Sequence, residues 1–180
     1  MTTMKIGVLA DTHVPDVFRQ VPPRLLELLS GVDIILHVGD ICELNLLQQL
    51  EPIAQTFAVY GEQDSAEVKK YLQEKQRLEF AGRSVGLVHG NQAWEGDWFT
   101  RAFFRFSRAR RVNALHSYVL REFPDVDVAV FGHSHAPYIK MHGGVLLFNP
   151  GSAAPLLGQS GSIGMLEITQ NSIKGKIIPL

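Results

Sequence analysis

The stretch Met4-Lys5-Ile6-Gly7-Val8-Leu9-Ala10-Asp11-Thr12-His13 decides the fold. From Met4 to Ala10 it is mostly apolar, and it stops at a polar turn. That pattern reads as a buried strand whose end presents a carboxylate and an imidazole. Pro22-Pro23 then opens a helix over Arg24–Leu29, because proline is tolerated in a first helical turn. Ile34–Val38 reads as a second strand, Glu43–Leu50 as a second helix and Thr56–Val59 as a third strand. Strand–helix–strand units of this length imply a largely parallel sheet with right-handed crossovers.

The second half changes character. Arg77–Phe80 and Ser84–Val88 flank Ala81-Gly82-Arg83 as a hairpin, and Val126–Phe131 is a further strand. Pro137–Met141 and Val145–Phe148 turn about His142-Gly143-Gly144, and Ile163–Thr169 and Ile173–Ile178 flank Gln170-Asn171. A parallel half followed by an antiparallel half predicts an α/β protein with two sheets packed face to face and helices outside.

The chain has 180 residues, which suits one domain over positions 1–180 with a single main core. Hydrophobic residues at 46% and charged residues at 19% exclude a disordered chain. A net charge of -1 creates no global field toward nucleic acid or acidic membranes, so neither is expected as a partner. Cys42 is the sole cysteine, which excludes an internal disulfide and any thiolate zinc knuckle. The N-terminal apolar run Ile6 to Ala10 is too short for a signal segment or a membrane span. These features fit a cytoplasmic protein, and they leave a homo-oligomer open.

In open α/β sheets, ligands bind at the carboxyl ends of strands. Here those ends read Asp11-Thr12-His13, Gly39-Asp40, Gly61-Glu62-Gln63-Asp64, His89-Gly90 and Gly132-His133-Ser134-His135. Each piece alone has a bland explanation: a capping aspartate, a tight turn, a solvated pair of histidines. Gathered at successive strand ends, they supply nitrogen and oxygen ligands with no thiolate. Such a set suits a pair of divalent ions, Mn, Fe, Zn or Ni, rather than a thiolate-bound structural zinc.

In this order the motifs D-x-H, G-D, G-(E)-x-D, H-G and G-H-x-H resemble those of the calcineurin-like metallophosphoesterases, and within them the small bacterial and archaeal phosphodiesterases. Asn149-Pro150-Gly151-Ser152 is similar to the family's N-P-G-S segment, and the resemblance runs from about Lys5 to Ser152. It implies a four-layer αββα sandwich of two mixed β-sheets flanked by helices. It also implies that Asp11, His13 and His135 hold a first metal, that Glu62, His89 and His133 hold a second, and that Asp40 bridges them. The activity implied is hydrolysis of a small phosphorylated substrate, most simply a phosphodiester, by a hydroxide shared between two divalent ions, with manganese the leading metal. Two such ions about 3.5–4 Å apart clamp the attacking and leaving oxygens and acidify the water between them.

The chain departs from the family pattern twice. Glu62 stands where the pattern has asparagine, and its charge cancels the surplus positive charge an amide ligand would leave on the site. An acidic residue there is similar to the retromer subunit of the same fold, whose site serves as a scaffold, so a catalytically weak interaction protein is the alternative function. Gln63 stands where many relatives have a proton-donating histidine; it can hydrogen-bond substrate but cannot usefully protonate a leaving group. Asp64 matches the family aspartate, with a supporting role expected.

Asp97–Arg111 carries the remaining signal. On a helix, Phe99, Phe103 and Phe106 line one face and Arg101, Arg105 and Arg108 the opposite one. The arginines are candidates for binding substrate phosphate, with Trp94 or Trp98 available to stack a base. A solvated amphipathic face is the competing explanation. His37 is expected in the core, and His116 and His142 in solvent.

Overall fold

A computed structural model describes residues 3–17, 19–94, 108–154 and 160–180, with the backbone alone at Arg108. The opening stretch forms β1 (Met4–Leu9), and α1 (Pro23–Leu29), β2 (Ile34–Val38), α2 (Asn45–Leu50) and β3 (Gln55–Val59) follow it. After a short helix α3 (Ala66–Tyr71) come β4 (Lys75–Phe80), β5 (Arg83–Val88) and a 3-10 turn at Asn91–Trp94. The chain continues through α4 (Arg108–Glu122), β6 (Val128–Phe131), β7 (Tyr138–His142), β8 (Val145–Asn149), β9 (Ser162–Ile168) and β10 (Ile173–Pro179).

The strands form two mixed sheets, in the orders β10-β9-β1-β2-β3 and β4-β5-β6-β8-β7. In the first, β1, β2 and β3 are parallel and β9 runs antiparallel to β1. In the second, β5, β6 and β8 are parallel, with β4 and β7 antiparallel at the edges. This corrects the division into a parallel and an antiparallel half. The long connection carrying α4 is a crossover, which allows β6 to lie parallel to β5. The C-terminal hairpin returns to pair with β1 rather than joining the second sheet.

Strand periodicity explains the layers. Ile6 and Val8 of β1 meet Val85, Leu87, Val130 and Phe148 of the other sheet in the central core. Leu9 and Ile35 face the opposite way, against Leu25 and Leu29 of α1 and Leu46 and Leu50 of α2. Gly7 lets α1 approach closely, because a Cβ there would collide with Leu29. On the far side, Leu115 and Val119 of α4, with Phe123 just past its end, cover Ala129, Phe131 and Leu147. Helices, sheet, sheet and helix therefore make four layers, as the resemblance implied.

Helix α3 was not anticipated, since Val68 is its one buried residue and no apolar stripe announces it; Ser65 Oγ caps it by accepting from Val68 N at 3.3 Å. Phe148 is the side chain on which the central core closes. It is fully buried, and Gly164 and Gly175 leave room for its ring where a Cβ would collide with it. Phe148→Ala should lower stability by about 3–5 kcal/mol, read as a fall in urea midpoint at unchanged slope. A loss below about 1 kcal/mol would mean that the two sheets close over the cavity.

Candidate metal centre

The five polar strand ends meet at one edge of the two sheets, held there by backbone hydrogen bonds. Asp11 N donates to Gly39 O and His13 N to Asp40 O, each at 3.1 Å, so the loops after β1 and β2 are zipped together. Gly132 N donates to His89 O at 3.1 Å, which joins the loops after β5 and β6. Asp11, His13, Asp40, His133 and His135 all have positive φ, between 48° and 64°. Left-handed backbone at non-glycine residues costs on the order of 1–3 kcal/mol each and persists where the surroundings over-determine it. Here it turns five side chains inward.

Two groups of ligand atoms result. Atoms of Asp11, His13, Asp40 and His135 lie within 4.8 Å of one another, and so do atoms of Glu62, His89 and His133. His135 Nε2 is 3.1 Å from Asp11 Oδ1, and His133 Nδ1 is 3.1 Å from Glu62 Oε1. His89 Nε2 stands 3.2 Å from Glu62 Oε2 and 3.3 Å from Asp40 Oδ2, so Asp40 belongs to the first group and touches the second. Glu62 therefore points into the site. His89 Nδ1 donates to Val38 O at 2.8 Å, because a carbonyl can only accept; this leaves the Nε2 lone pair for a ligand.

The donor atoms fit divalent ions. Both carboxylate oxygens of Asp11 are buried without a hydrogen-bond partner, as are His13 Nε2 and His89 Nε2. Buried polar atoms are rarely left so. A Cβ at Gly61 would strike Asp40 Oδ1 and the His89 ring, so that glycine keeps the space between the two groups open. Burial disfavours a charged His89, yet Asp40 and Glu62 raise its proton affinity well above the ordinary imidazole range. Burial likewise pushes Glu62 upward, but His133 and His89 overcome it and hold the carboxyl below its usual range. A field that attracts a proton this strongly also attracts a metal cation.

Residues 4–171 match the family model of the calcineurin-like phosphoesterase superfamily domain. The chain belongs to that superfamily. A probable metallophosphoesterase of Methanocaldococcus jannaschii is 30% identical over 99% of this chain and 82% of its own length. A phosphodiesterase of the same organism is 22% identical over 91% of this chain and 93% of its own. Among solved structures, wild-type Vps29 of Entamoeba histolytica complexed with zinc superposes with a TM-score of 0.68 and 25% identity, covering 98% of this chain and 99% of that one.

Within this calcineurin-like frame, the supporting residues are clear. Asp64 accepts from Gly61 N at 2.6 Å, Cys42 N at 2.6 Å and Asp40 N at 3.2 Å, and so fixes the loop that carries Asp40. Gln63 contributes its backbone amide, which donates to Asp40 Oδ1 at 2.9 Å; the residue itself is exposed. Asn149 Nδ2 donates to Gly132 O at 2.8 Å and to Ser134 Oγ at 3.1 Å, which clamps the His133–His135 loop. Ser152 Oγ lies 3.0 Å from Asp11 O and 2.8 Å from Ala154 O, and its one hydrogen serves these two carbonyls, a structural duty. Burial pushes the Cys42 thiol up to about 12, which removes it as a nucleophile.

Arg101 and Arg105 lie outside the described residues, as do Phe99, Phe103, Phe106 and Trp98; Arg108 opens α4. Trp94 packs on His133, with ring centroids 3.9 Å apart. His116 and His142 are half-buried rather than solvated: His116 stacks on Tyr138 at 4.1 Å, and His142 Nε2 shares a 2.8 Å hydrogen bond with the Tyr138 hydroxyl. Asp64 and Asn149 both fall in the motifs that carry the resemblance, and the supporting role expected of Asp64 is visible in its three backbone hydrogen bonds.

Asp64→Asn should weaken metal binding by about 10–100-fold, because an amide turns a donor toward backbone N–H groups. Titration of the metal-free protein with manganese checks this; unchanged affinity would separate Asp64 from the Asp40 loop. His37 gives a pH prediction. Fully buried and 3.1 Å from Thr12 Oγ1, it is pushed by desolvation, with His89 adding to the effect, from 6.5 down to about 3. The unfolded chain then binds the extra proton, so stability rises from pH 3 to 6.5 and is complete above that. His37→Gln should flatten this rise by a few kcal/mol, at about 1.4 kcal/mol per pKa unit. Superimposable denaturation profiles against pH would contradict it.

Proposed function

We propose that this calcineurin-like protein is a hydrolase of small phosphodiesters, using two divalent ions, manganese first among them, and that Asp11, His13, Asp40, Glu62, His89, His133 and His135 are their ligands. The observation that carries this reading is the convergence of unpartnered donor atoms from Asp11, His13 and His89 around Asp40, which touches both ligand groups. A carboxylate offers two oxygens to two ions, whereas a neutral imidazole nitrogen serves one, which suits Asp40 to the shared position. Bound there, the ions would polarise the phosphoryl group and lower the pKa of an attacking water. His89 is kept in the metal-binding tautomer by Val38, and Asp40 is aimed by the amide of Gln63 and, through its loop, by Asp64. A reduced cytoplasm is the natural place for a chain with one cysteine, buried and unpaired.

Glu62 favours a second reading, a catalytically weak interaction scaffold on the same fold, because an added negative charge weakens attraction for an anionic phosphate. One experiment divides the two: manganese-dependent hydrolysis of bis(p-nitrophenyl) phosphate by wild type, Asp40→Asn and Glu62→Asn. The hydrolase reading expects turnover by wild type and a fall of at least about 100-fold with loss of metal in Asp40→Asn. Glu62→Asn should bind its metal more weakly, yet turn over faster at saturating manganese with the acidic limb of its pH profile shifted down. Full manganese occupancy without turnover in wild type and Glu62→Asn alike would favour the scaffold.

A further inference from the structure

The arginine-rich stretch delivers one described side chain to the edge of the ligand cluster, and it is Arg111. Its guanidinium lies 5.4 Å from the centroid of the Trp94 ring, which also packs on His133, and Trp94 Nε1 donates to Arg111 O at 3.0 Å. Among the described residues, Arg111, Trp94, Val112, Ser134 and Ala136 line a recess of about 70 Å³. Ser134 sits between His133 and His135, one residue from each candidate ligand group.

The chemistry of the recess is that of an anion site. Arg111 Nε is buried and has no hydrogen-bond partner, an arrangement that is unfavourable unless something accepts from it. Ser134 Oγ accepts from Asn149 Nδ2 at 3.1 Å and from Ala136 N at 3.4 Å, which leaves its own hydrogen to donate. Among the described residues that line the recess none is acidic, so their polar side chains offer donors. Since a water needs about 10–15 Å³ of such space, the recess has room for a carboxylate or phosphate group.

We propose that Arg111 and Ser134, backed by Trp94, bind a second oxyanion of the substrate, distinct from the ester phosphate taken by the metal ligands. The preferred substrates are then phosphoesters that carry another acidic group near the scissile bond. This rests on the hydrolase reading for the ester phosphate, but the recess can be tested without turnover. Calorimetry on the manganese-loaded protein compares phosphoglycolate with ethyl phosphate and 3-phosphooxypropanoate with propyl phosphate, pairs that differ by one carboxylate.

At least one acidic member should bind about tenfold more tightly than its alkyl partner, the size of one charge-assisted hydrogen bond. Arg111→Met should abolish that preference and Arg111→Lys should keep part of it, with manganese content measured on each variant. Equal affinities within both pairs for wild type would overturn the proposal. So would a preference that survives Arg111→Met, or a loss in that variant equal for acid and alkyl partners. A protein that shows the preference and yet cleaves neither p-nitrophenyl esters nor phosphoesters with a second acidic group would refute the hydrolase reading and support the recess.

Discussion

Three backbone amides, from Asp40, Cys42 and Gly61, converge on the carboxylate of Asp64, and that convergence fixes the ends of β2 and β3 relative to each other. Asp40 can occupy its place between the two ligand groups only because its loop is held there. The loop after β1 hangs on the same frame, through the hydrogen bonds of Asp11 N and His13 N to Gly39 O and Asp40 O. A buried carboxylate that accepts several N–H bonds is a rigid anchor, since rearrangement would strand the amides and the charge together.

The rigidity has a cost that appears in the backbone. Cys42 joins the inward-facing ligand residues in the left-handed region, with φ of 73°. Strain of this kind survives where packing behind it is dense, and Leu9, Ile41 and Val38 are all fully buried beneath the loops. The four layers thus do more than bury apolar surface: they hold strand ends stiff enough to keep unpartnered donor atoms facing one another. The stability lost at the site is offset by the core.

The strand ends were legible in the sequence because the signal is local: a short apolar run followed by Asp, His or Gly reads the same in any packing environment. The layers followed from the resemblance, and the structure has them. The division into parallel and antiparallel halves failed because strand direction depends on what lies between strands, and α4 extends well past Arg111 to Glu122. Supporting roles were less legible. Gln63 was read for its side chain and contributes its amide, and Trp94 was read as a base-stacking surface and packs on His133. Contacts of this kind join residues distant in sequence, and no periodicity encodes them.

The central claim is that seven side chains hold two ions with Asp40 between them. Anomalous scattering from a crystal grown in manganese tests it most directly. The account predicts two peaks, one within reach of Asp11, His13, Asp40 and His135 and the other within reach of Asp40, Glu62, His89 and His133. A single peak at saturating manganese, or a second peak that Glu62 does not touch, would contradict it.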